Sequence, residues 1–139
     1  MPEPTSPSTL LAGRYHLKAK VGVGGMADVW RAEDVQLHRD VAVKLLKPQL
    51  AGDDRAVERF RREAEMVARL DHPNIVSIYD TVVHEGRRAV IMPFITGTSL
   101  RATLDNEKRL SVEQTLSIAS AVASALDAAH AAGLIHRDV

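Results

Sequence analysis

The sequence predicts an α+β fold in which a five-stranded antiparallel sheet lobe with one main helix precedes a set of helices. Apolar and polar residues alternate in the runs between Tyr15 and Leu46, as in half-buried strands. A stripe with helical spacing follows in residues 52–73, and two more strand-like runs come after it. Beyond Gly97 only helical patterns remain. This order indicates a small sheet lobe followed by the beginning of a helical lobe.

The first three strands are predicted from period-two alternation. The runs "YHLKAKV" and "ADVWRAED" form a hairpin whose turn is the glycine-rich segment 22–26, and "DVAVKLL" is the third strand. Alternate side chains of a strand point to opposite faces, so Ala42, Lys44 and Leu46 are expected on one face. Lys44 therefore shares a face with a small residue.

The main helix is predicted to begin after Asp53 or Asp54, either of which can cap it, and to end at Pro73. Two strands, "NIVSIYDTVV" and "RRAVIMPFI", are expected next, joined around Gly86. The short helix "SLRATL" and a long helix complete the order. A capping box of Ser111 and Gln114 would start the long helix, and Gly133 would end it.

Composition excludes several classes of protein. The 18 basic and 18 acidic residues balance, which argues against a nucleic-acid or anionic-membrane partner. The chain has no cysteine, so disulfides and cysteine metal sites are excluded. No segment has the pattern of a transmembrane span or a signal peptide, and a cytoplasmic location is expected. We expect a disordered leader at 1–12, a sheet lobe with its connecting segment at 13–95, and a helical lobe at 96–139.

The glycine-rich turn has the sequence Gly22-Val23-Gly24-Gly25-Met26-Ala27. An ordinary turn explains such a match about as well as a phosphate-binding loop does. Among phosphate-binding loops, a dinucleotide fingerprint would need a helix after the glycines, but a strand follows. A P-loop would need Gly-Lys-Ser/Thr, which is absent. What remains is the hairpin that covers the phosphates of ATP.

A lysine that holds phosphates needs an acidic partner. At about 100° per residue, Glu63 lies on the flank of the apolar helix stripe, whereas Glu58 and Glu65 lie farther from it. Glu63 is therefore the candidate partner of Lys44. The alternative is a local, solvent-exposed pair of Glu63 with Arg59 or Arg62.

These motifs together resemble the bacterial eukaryotic-like serine/threonine protein kinases, of the type found in actinobacteria. The matching segments occur in the order of that family, from about Leu10 to the last residue: "LLAGRYHLKAKVGVGGMADVWRAED", "VAVKLL", "RFRREAEMVARLDHPNIVSIYD", "AVIMPFITGTSLRATL" and "AAGLIHRDV". The match implies the first part of a kinase catalytic domain, with ATP and Mg²⁺ as cofactors and Ser/Thr hydroxyls of proteins as substrates.

The resemblance also implies the roles of single residues. Lys44 would hold the α- and β-phosphates and pair with Glu63, and Asp138 would be the catalytic base. The nucleotide would be bound by residues of the glycine turn, of the strands around it and of the hinge, namely Val21, Gly22, Gly24, Gly25, Val29, Ala42, Lys44, Met92, Phe94 and Ile95. His136 and Arg137 would support the catalytic loop. Two residues depart from the pattern, since Ala27 replaces a glycine and Pro93 occupies a hinge position.

No metal ligand is assigned within the sequence, because the Asn and the Asp-Phe-Gly that bind Mg²⁺ in the family would follow Val139. Residues 1–139 alone are therefore expected not to transfer phosphate at a useful rate. The alternative function is a short non-catalytic module that binds ATP or another protein. The resemblance also leaves open a kinase homodimer through the sheet lobe, and a membrane anchor in a later segment of a longer protein.

Overall fold

A computed structural model describes residues 7–137 and residue 139. These residues form one six-stranded antiparallel sheet with strand order β1-β2-β3-β4-β6-β5. The strands are β1 (Leu10–Leu11), β2 (Tyr15–Val23), β3 (Ala27–Asp34), β4 (Arg39–Leu46), β5 (Asp80–His84) and β6 (Arg87–Pro93). The helices are α1 (Asp54–Ala68), α2 (Leu100–Glu107) and α3 (Val112–Ala131).

The sheet has one strand more than the five expected. Leu10–Leu11 pairs with Tyr15 and His16 of β2, and Leu11 is only 1% exposed. The predicted leader of residues 1–12 is therefore wrong at residues 10 and 11, which belong to the sheet, while its residues 1–6 lie outside the part of the chain that the structure describes. A two-residue strand is too short to show period-two alternation, so the sequence pattern could not reveal it.

The two faces of β4 contribute to two separate apolar clusters, as alternation predicts. Val41, Val43 and Leu45 pack with residues of the other strands on one face. On the opposite face, Leu46 packs with Phe60 and Ala64 of α1. The helix stripe predicted from sequence therefore does cover the sheet through its central residues.

Helix α1 begins as predicted but ends earlier. Asp53 is its N-cap, and its carboxylate accepts hydrogen bonds from the backbone N–H groups of Arg55 and Ala56. The helix ends at Ala68 instead of continuing to Pro73. His72 precedes Pro73, and a residue in that position disfavours helical backbone. The ring nitrogen Nδ1 of His72 instead accepts a hydrogen bond from the backbone N–H of Asn74 at 3.0 Å. Strand β5 correspondingly begins at Asp80, not at Asn74.

Both predicted signals of the long helix are present. Ser111 and Gln114 form the capping box at its start. At its end, the N–H of Gly133 bonds the carbonyl of His130 at 3.0 Å and the N–H of Leu134 bonds that of Ala129 at 2.9 Å. Gly133 has a φ of +82°, which glycine adopts without strain in this kind of helix end.

The described residues divide into two compact units. The sheet unit runs to Arg69 and resumes at Val76–Phe94, and the helical unit comprises Leu70–Ile75 and Ile95–Val139. The segment Leu70–Ile75, expected in the sheet lobe, therefore groups with the helices. Within the helical unit, His72 Nε2 lies 2.9 Å from Ser124 Oγ of α3. No helix of the described residues is long and apolar enough to cross a membrane.

Candidate functional site

The glycine-rich turn joins β2 to β3 and is closed by a hydrogen bond from Gly24 N–H to the carbonyl oxygen of Ala27 at 2.9 Å. A Cβ atom on Gly24 would lie 2.8 Å from that oxygen, which is too close for any side chain. A Cβ on Gly25 would meet nothing within 4 Å, and one on Gly22 would be 3.5 Å from Val29 Cβ. Of the three glycines predicted to bind phosphate, Gly24 is the one that the backbone itself requires.

Four of the residues predicted to surround a nucleotide lie in two neighbouring rows across the sheet. Lys44 pairs with Val29 on one side and with Val90 on the other. In the next row Ala42 pairs with Met92. Directly paired residues share a face of the sheet, so Lys44 and Ala42 lie on the side that α1 covers. The prediction that Lys44 and Ala42 share a face is confirmed.

Lys44 and Glu63 line the same cavity of the sheet unit, with a volume of about 210 Å³. Its walls are mainly apolar and come from α1, β6 and the segment before β5; they include Phe60, Ala64, Val67, Val76, Ile78, Val90 and Met92. Lys44 is half-buried in this setting. The fold thus brings the predicted cation and the predicted anion to one apolar cavity.

The carboxylate of Glu63 is nevertheless bonded within its own helix. Arg59 Nε donates to Glu63 Oε1 at 3.2 Å, and both side chains are largely exposed. Arg62, the other local candidate, bonds Glu58 at 2.7 Å instead. Among the residues that the structure describes, none forms an ion pair with Lys44 within 4 Å. The pairing of Lys44 with Glu63 therefore stays a prediction.

The expected hinge follows β6. Met92 is half-buried, Phe94 is the last residue of the sheet unit, and Ile95 is 66% exposed. The Arg31 guanidinium lies 5.1 Å from the centre of the Phe94 ring, a contact that the sequence did not reveal. Arg31 is also held by Asp40, so the cation over the hinge aromatic has a fixed partner.

For three of the predicted residues, Asp138, Arg137 and Val21, the structure gives no contact that indicates their function. Asp138, the predicted catalytic base, falls outside the residues that the structure describes. Its neighbour Arg137 has a φ of 68°, a backbone conformation that is uncommon for a non-glycine residue. Val21 is 53% exposed and lies where the register of β2 and β3 shifts between Lys20 and Gly22. Within residues 7–137 and 139, no group of three or more His, Asp or Glu side chains could hold a metal.

Sequence reasoning missed a charged cluster beside the glycine turn. Asp28, directly after the turn, bonds Lys20 at 3.0 Å and lies 3.9 Å from Lys47 Nζ. Burial lowers the pKa of the nearby Arg87, while the charges of Asp28 and Glu85 act in the opposite direction. The available signal was an acid and a lysine that flank the turn on either side.

Comparisons with known proteins give the family of the chain. Residues 15–139 match the protein kinase domain family. The chain is 43% identical over 134 residues to the serine/threonine-protein kinase PknA of Mycobacterium tuberculosis, covering 93% of this chain and 31% of that protein. It is 39% identical over 129 residues to the serine/threonine-protein kinase PrkC of Bacillus subtilis, covering 93% of this chain and 20% of that protein.

A crystal structure of the Mycobacterium tuberculosis PknI kinase domain superposes with a TM-score of 0.78 at 33% identity, covering 98% of this chain and 55% of that one. The chain thus spans about a third or less of the curated relatives named here and about half of the solved kinase domain. The chain belongs to the protein kinase domain family, and its relatives are bacterial serine/threonine kinases.

Proposed function

We propose that this chain is the nucleotide-binding part of an ATP-dependent protein serine/threonine kinase. The observation that carries the proposal is the placement of Lys44. It lies in one row with Val29 of the strand that follows the glycine turn, and it shares a cavity with Glu63. A lysine that pairs with the strand after the glycine turn, and that shares a cavity with a carboxylate, suits the binding of a polyphosphate.

The residues present fit such a ligand. A Cβ atom on Gly25 would meet nothing within 4 Å, so phosphate oxygens have room to approach the backbone at this glycine. Val29 and Ala42 are small apolar residues on the face that carries Lys44, as contact with a flat base would require. ATP, bound with Mg²⁺, would supply the phosphoryl group that is transferred to a Ser or Thr hydroxyl.

We assign the roles of this chain's residues accordingly. Lys44 binds the α- and β-phosphates, and Glu63 exchanges its bond with Arg59 for one with Lys44 when nucleotide is bound. Val21 and the three glycines Gly22, Gly24 and Gly25 border the phosphates, Met92 lies behind the base, and backbone groups of Phe94 and Ile95 bond its edge. Asp138 accepts the proton of the substrate hydroxyl. No residue of the chain is proposed as a Mg²⁺ ligand.

The proposed reaction also defines partners. The acceptors are proteins with accessible Ser or Thr side chains, and ATP as donor places the activity in the cytoplasm. A homodimer through the sheet unit is a further proposal, which sedimentation of the chain at several concentrations would test. Constant sedimentation as a monomer at all concentrations would contradict it.

The proposal is tested by titrating the 139-residue chain with ATP and Mg²⁺ by calorimetry. Replacing Lys44 by Met is expected to weaken binding roughly tenfold, the effect of one lost charge-assisted contact. Lys18→Met is the matched control, because Lys18 pairs with Glu33 at 2.8 Å on the same sheet. Absence of binding by the unaltered chain, or equal binding by the Lys44→Met variant, would overturn the proposal.

A second measurement separates binding from catalysis. Residues 1–139 are incubated with radiolabelled ATP and a general acceptor protein, and we expect binding without useful transfer. Transfer that disappears in the Lys44→Met variant would show that this chain alone suffices for the reaction, which contradicts the expectation but not the assignment of Lys44.

A further inference from the structure

The β2–β3 hairpin carries a cross-strand ion pair next to its glycine turn. Lys20 of β2 and Asp28 of β3 are joined by a bond of 3.0 Å between Nζ and Oδ2. Lys20 lies before the turn and Asp28 after it, so the bond closes the loop of residues 21–27. The same Nζ lies 5.2 Å from the centre of the buried Trp30 ring, which limits where the lysine can move.

The ion pair crosses an irregularity of the hairpin. Lys20 is opposite Trp30, but Gly22 is opposite Val29, so Val21 has no partner on β3. Such a bulge bends a strand and increases its local twist. The bulge therefore sets the direction in which the glycine turn leaves the sheet. Lys20 lies at the start of the bulge, and Asp28 is opposite Val23 beyond its far end.

Asp28 also connects the turn to the residue that follows β4. Its second oxygen, Oδ1, is closed to solvent and accepts no hydrogen bond from any residue that the structure describes. The Nζ of Lys47 lies 3.9 Å from that oxygen. The backbone N–H of Lys47 donates to the carbonyl of Met26, the last residue of the turn, at 2.9 Å. Asp28 is thus attracted to one cation on β2, before the turn, and to another that follows β4.

An ordinary surface ion pair does not have these properties. Asp28 has a side-chain exposure of 14%, against 36% for Glu33, which pairs with Lys18 on the same two strands. A carboxylate this buried is less screened by solvent and salt than an exposed one. Its charge therefore acts mainly on the groups around the turn.

We propose that Asp28 is a positioning residue, which fixes the glycine turn for nucleotide through Lys20 and Lys47. The proposal rests on the proposed function for its nucleotide. The Gly24 N–H is bonded to Ala27 within the turn, and a turn that is already held in one shape has less order to gain when phosphate binds.

The test compares Asp28→Asn, which keeps the shape and removes the charge, with Glu33→Gln as matched control. Amide exchange of the chain is measured by mass spectrometry, and ATP affinity by calorimetry. In Asp28→Asn we expect faster exchange in residues 22–26 and a loss of affinity of roughly two- to fivefold, the range of one ion pair. In Glu33→Gln we expect neither change. Asp28→Glu should restore both properties in part.

Lys20→Met and the double variant complete a double-mutant cycle. If Asp28 acts through Lys20, the second substitution adds little to the first. Equal exchange in Asp28→Asn and Glu33→Gln would overturn the proposal, as would faster exchange throughout the sheet, which would indicate a general loss of stability. If the unaltered chain binds no ATP, the proposed function fails, and the exchange of residues 22–26 still decides whether Asp28 positions the turn.

Discussion

A Cβ atom on Gly24 would lie 2.8 Å from the carbonyl oxygen of Ala27, the same oxygen that accepts the Gly24 N–H. Any side chain at this position must therefore push the backbone apart and break the bond that closes the turn. This single contact makes one glycine of the turn essential for geometry and separates it from its neighbour Gly25.

We predict that Gly24→Ala weakens ATP binding about tenfold, because the turn must open by a shift of its backbone. Gly25→Ala is the control, since a Cβ there meets nothing within 4 Å. It should lower affinity less than Gly24→Ala does, because it adds a methyl group without displacing the backbone, and it should stabilise the chain by about 0.5 kcal/mol through a less flexible unfolded state. Calorimetric titration and denaturant unfolding measure the two effects. Equal affinities of the two variants would contradict the prediction.

The pair of Arg59 and Glu63 competes with the proposed pair of Lys44 and Glu63. Because both partners are largely exposed, the local pair contributes about 0.5 kcal/mol or less. We predict that Arg59→Gln leaves stability almost unchanged and strengthens ATP binding by at most about twofold.

Arg62→Gln provides the control for that measurement, because Arg62 bonds Glu58 on the same helix. It removes a similar exposed pair without releasing Glu63, so its ATP affinity should equal that of the unaltered chain. Weaker binding by Arg59→Gln than by Arg62→Gln would argue against competition for Glu63.

The lowered pKa of Asp34 predicts how the free energy of unfolding of the chain depends on pH. It is fully buried, and the bond from Arg14, opposed by burial and helped by the N–H groups of Leu37 and Gln36, lowers its pKa from 3.8 to about 2. Because the pKa is lower in the folded chain, ionised Asp34 stabilises the fold fully above pH 3.8, and this contribution disappears as the pH falls toward 2. The difference between the two pKa values corresponds to about 2 kcal/mol in the free energy of unfolding.

We therefore expect Asp34→Asn to unfold at lower denaturant concentration at pH 7, and to lose less stability than the unaltered chain between pH 4 and pH 2. Asp40→Asn serves for comparison, because Asp40 has a side-chain exposure of 36% and its pair with Arg31 should contribute about 0.5 kcal/mol. Parallel pH profiles of Asp34→Asn and the unaltered chain would refute this account.

The helical unit offers a prediction at Ser124. His72 Nδ1 accepts the N–H of Asn74, so the ring proton is on Nε2 and donates to Ser124 Oγ. Ser124→Ala should cost about 1 kcal/mol more than Ser120→Ala, an exposed serine of the same helix. Both substitutions gain the same helix propensity, so the difference between their free energies of unfolding gives the contribution of the hydrogen bond between His72 and Ser124. Thermal unfolding measures it, and identical stabilities would show that the bond contributes nothing.

The sequence predicted strongly periodic elements and missed features that depend on contacts. Alternation in β4 was enough to place Lys44 and Ala42 on one face, because period-two geometry is a local property. Strand β1 has only two residues, so its pairing with Tyr15 and His16 has no local signature. The end of α1 was predicted too late because proline was taken as its stop, whereas the chain leaves the helix at Arg69.

The same reasoning applies to the candidate site. The position of Glu63 on the helix predicted that it faces the cavity of Lys44. That position cannot show whether its carboxylate binds Lys44 or Arg59. Asp28 was missed because its two lysines come from different parts of the chain. The β2–β3 hairpin brings Lys20 to it, and the pairing of β3 with β4 brings Lys47 near it.

Trp30 is the only tryptophan of the chain and lies 3% exposed in the core of the sheet unit. The two tyrosines and two phenylalanines also belong to that unit, at positions 15, 79, 60 and 94. Ultraviolet absorption, near-ultraviolet dichroism and intrinsic emission therefore report on the sheet unit alone, while much of the far-ultraviolet signal comes from α3. One probe that needs no label thus follows the sheet unit, and a second follows the helices of both units, since α1 also contributes to it. Melting curves that differ between the two probes would mean that the two units unfold separately.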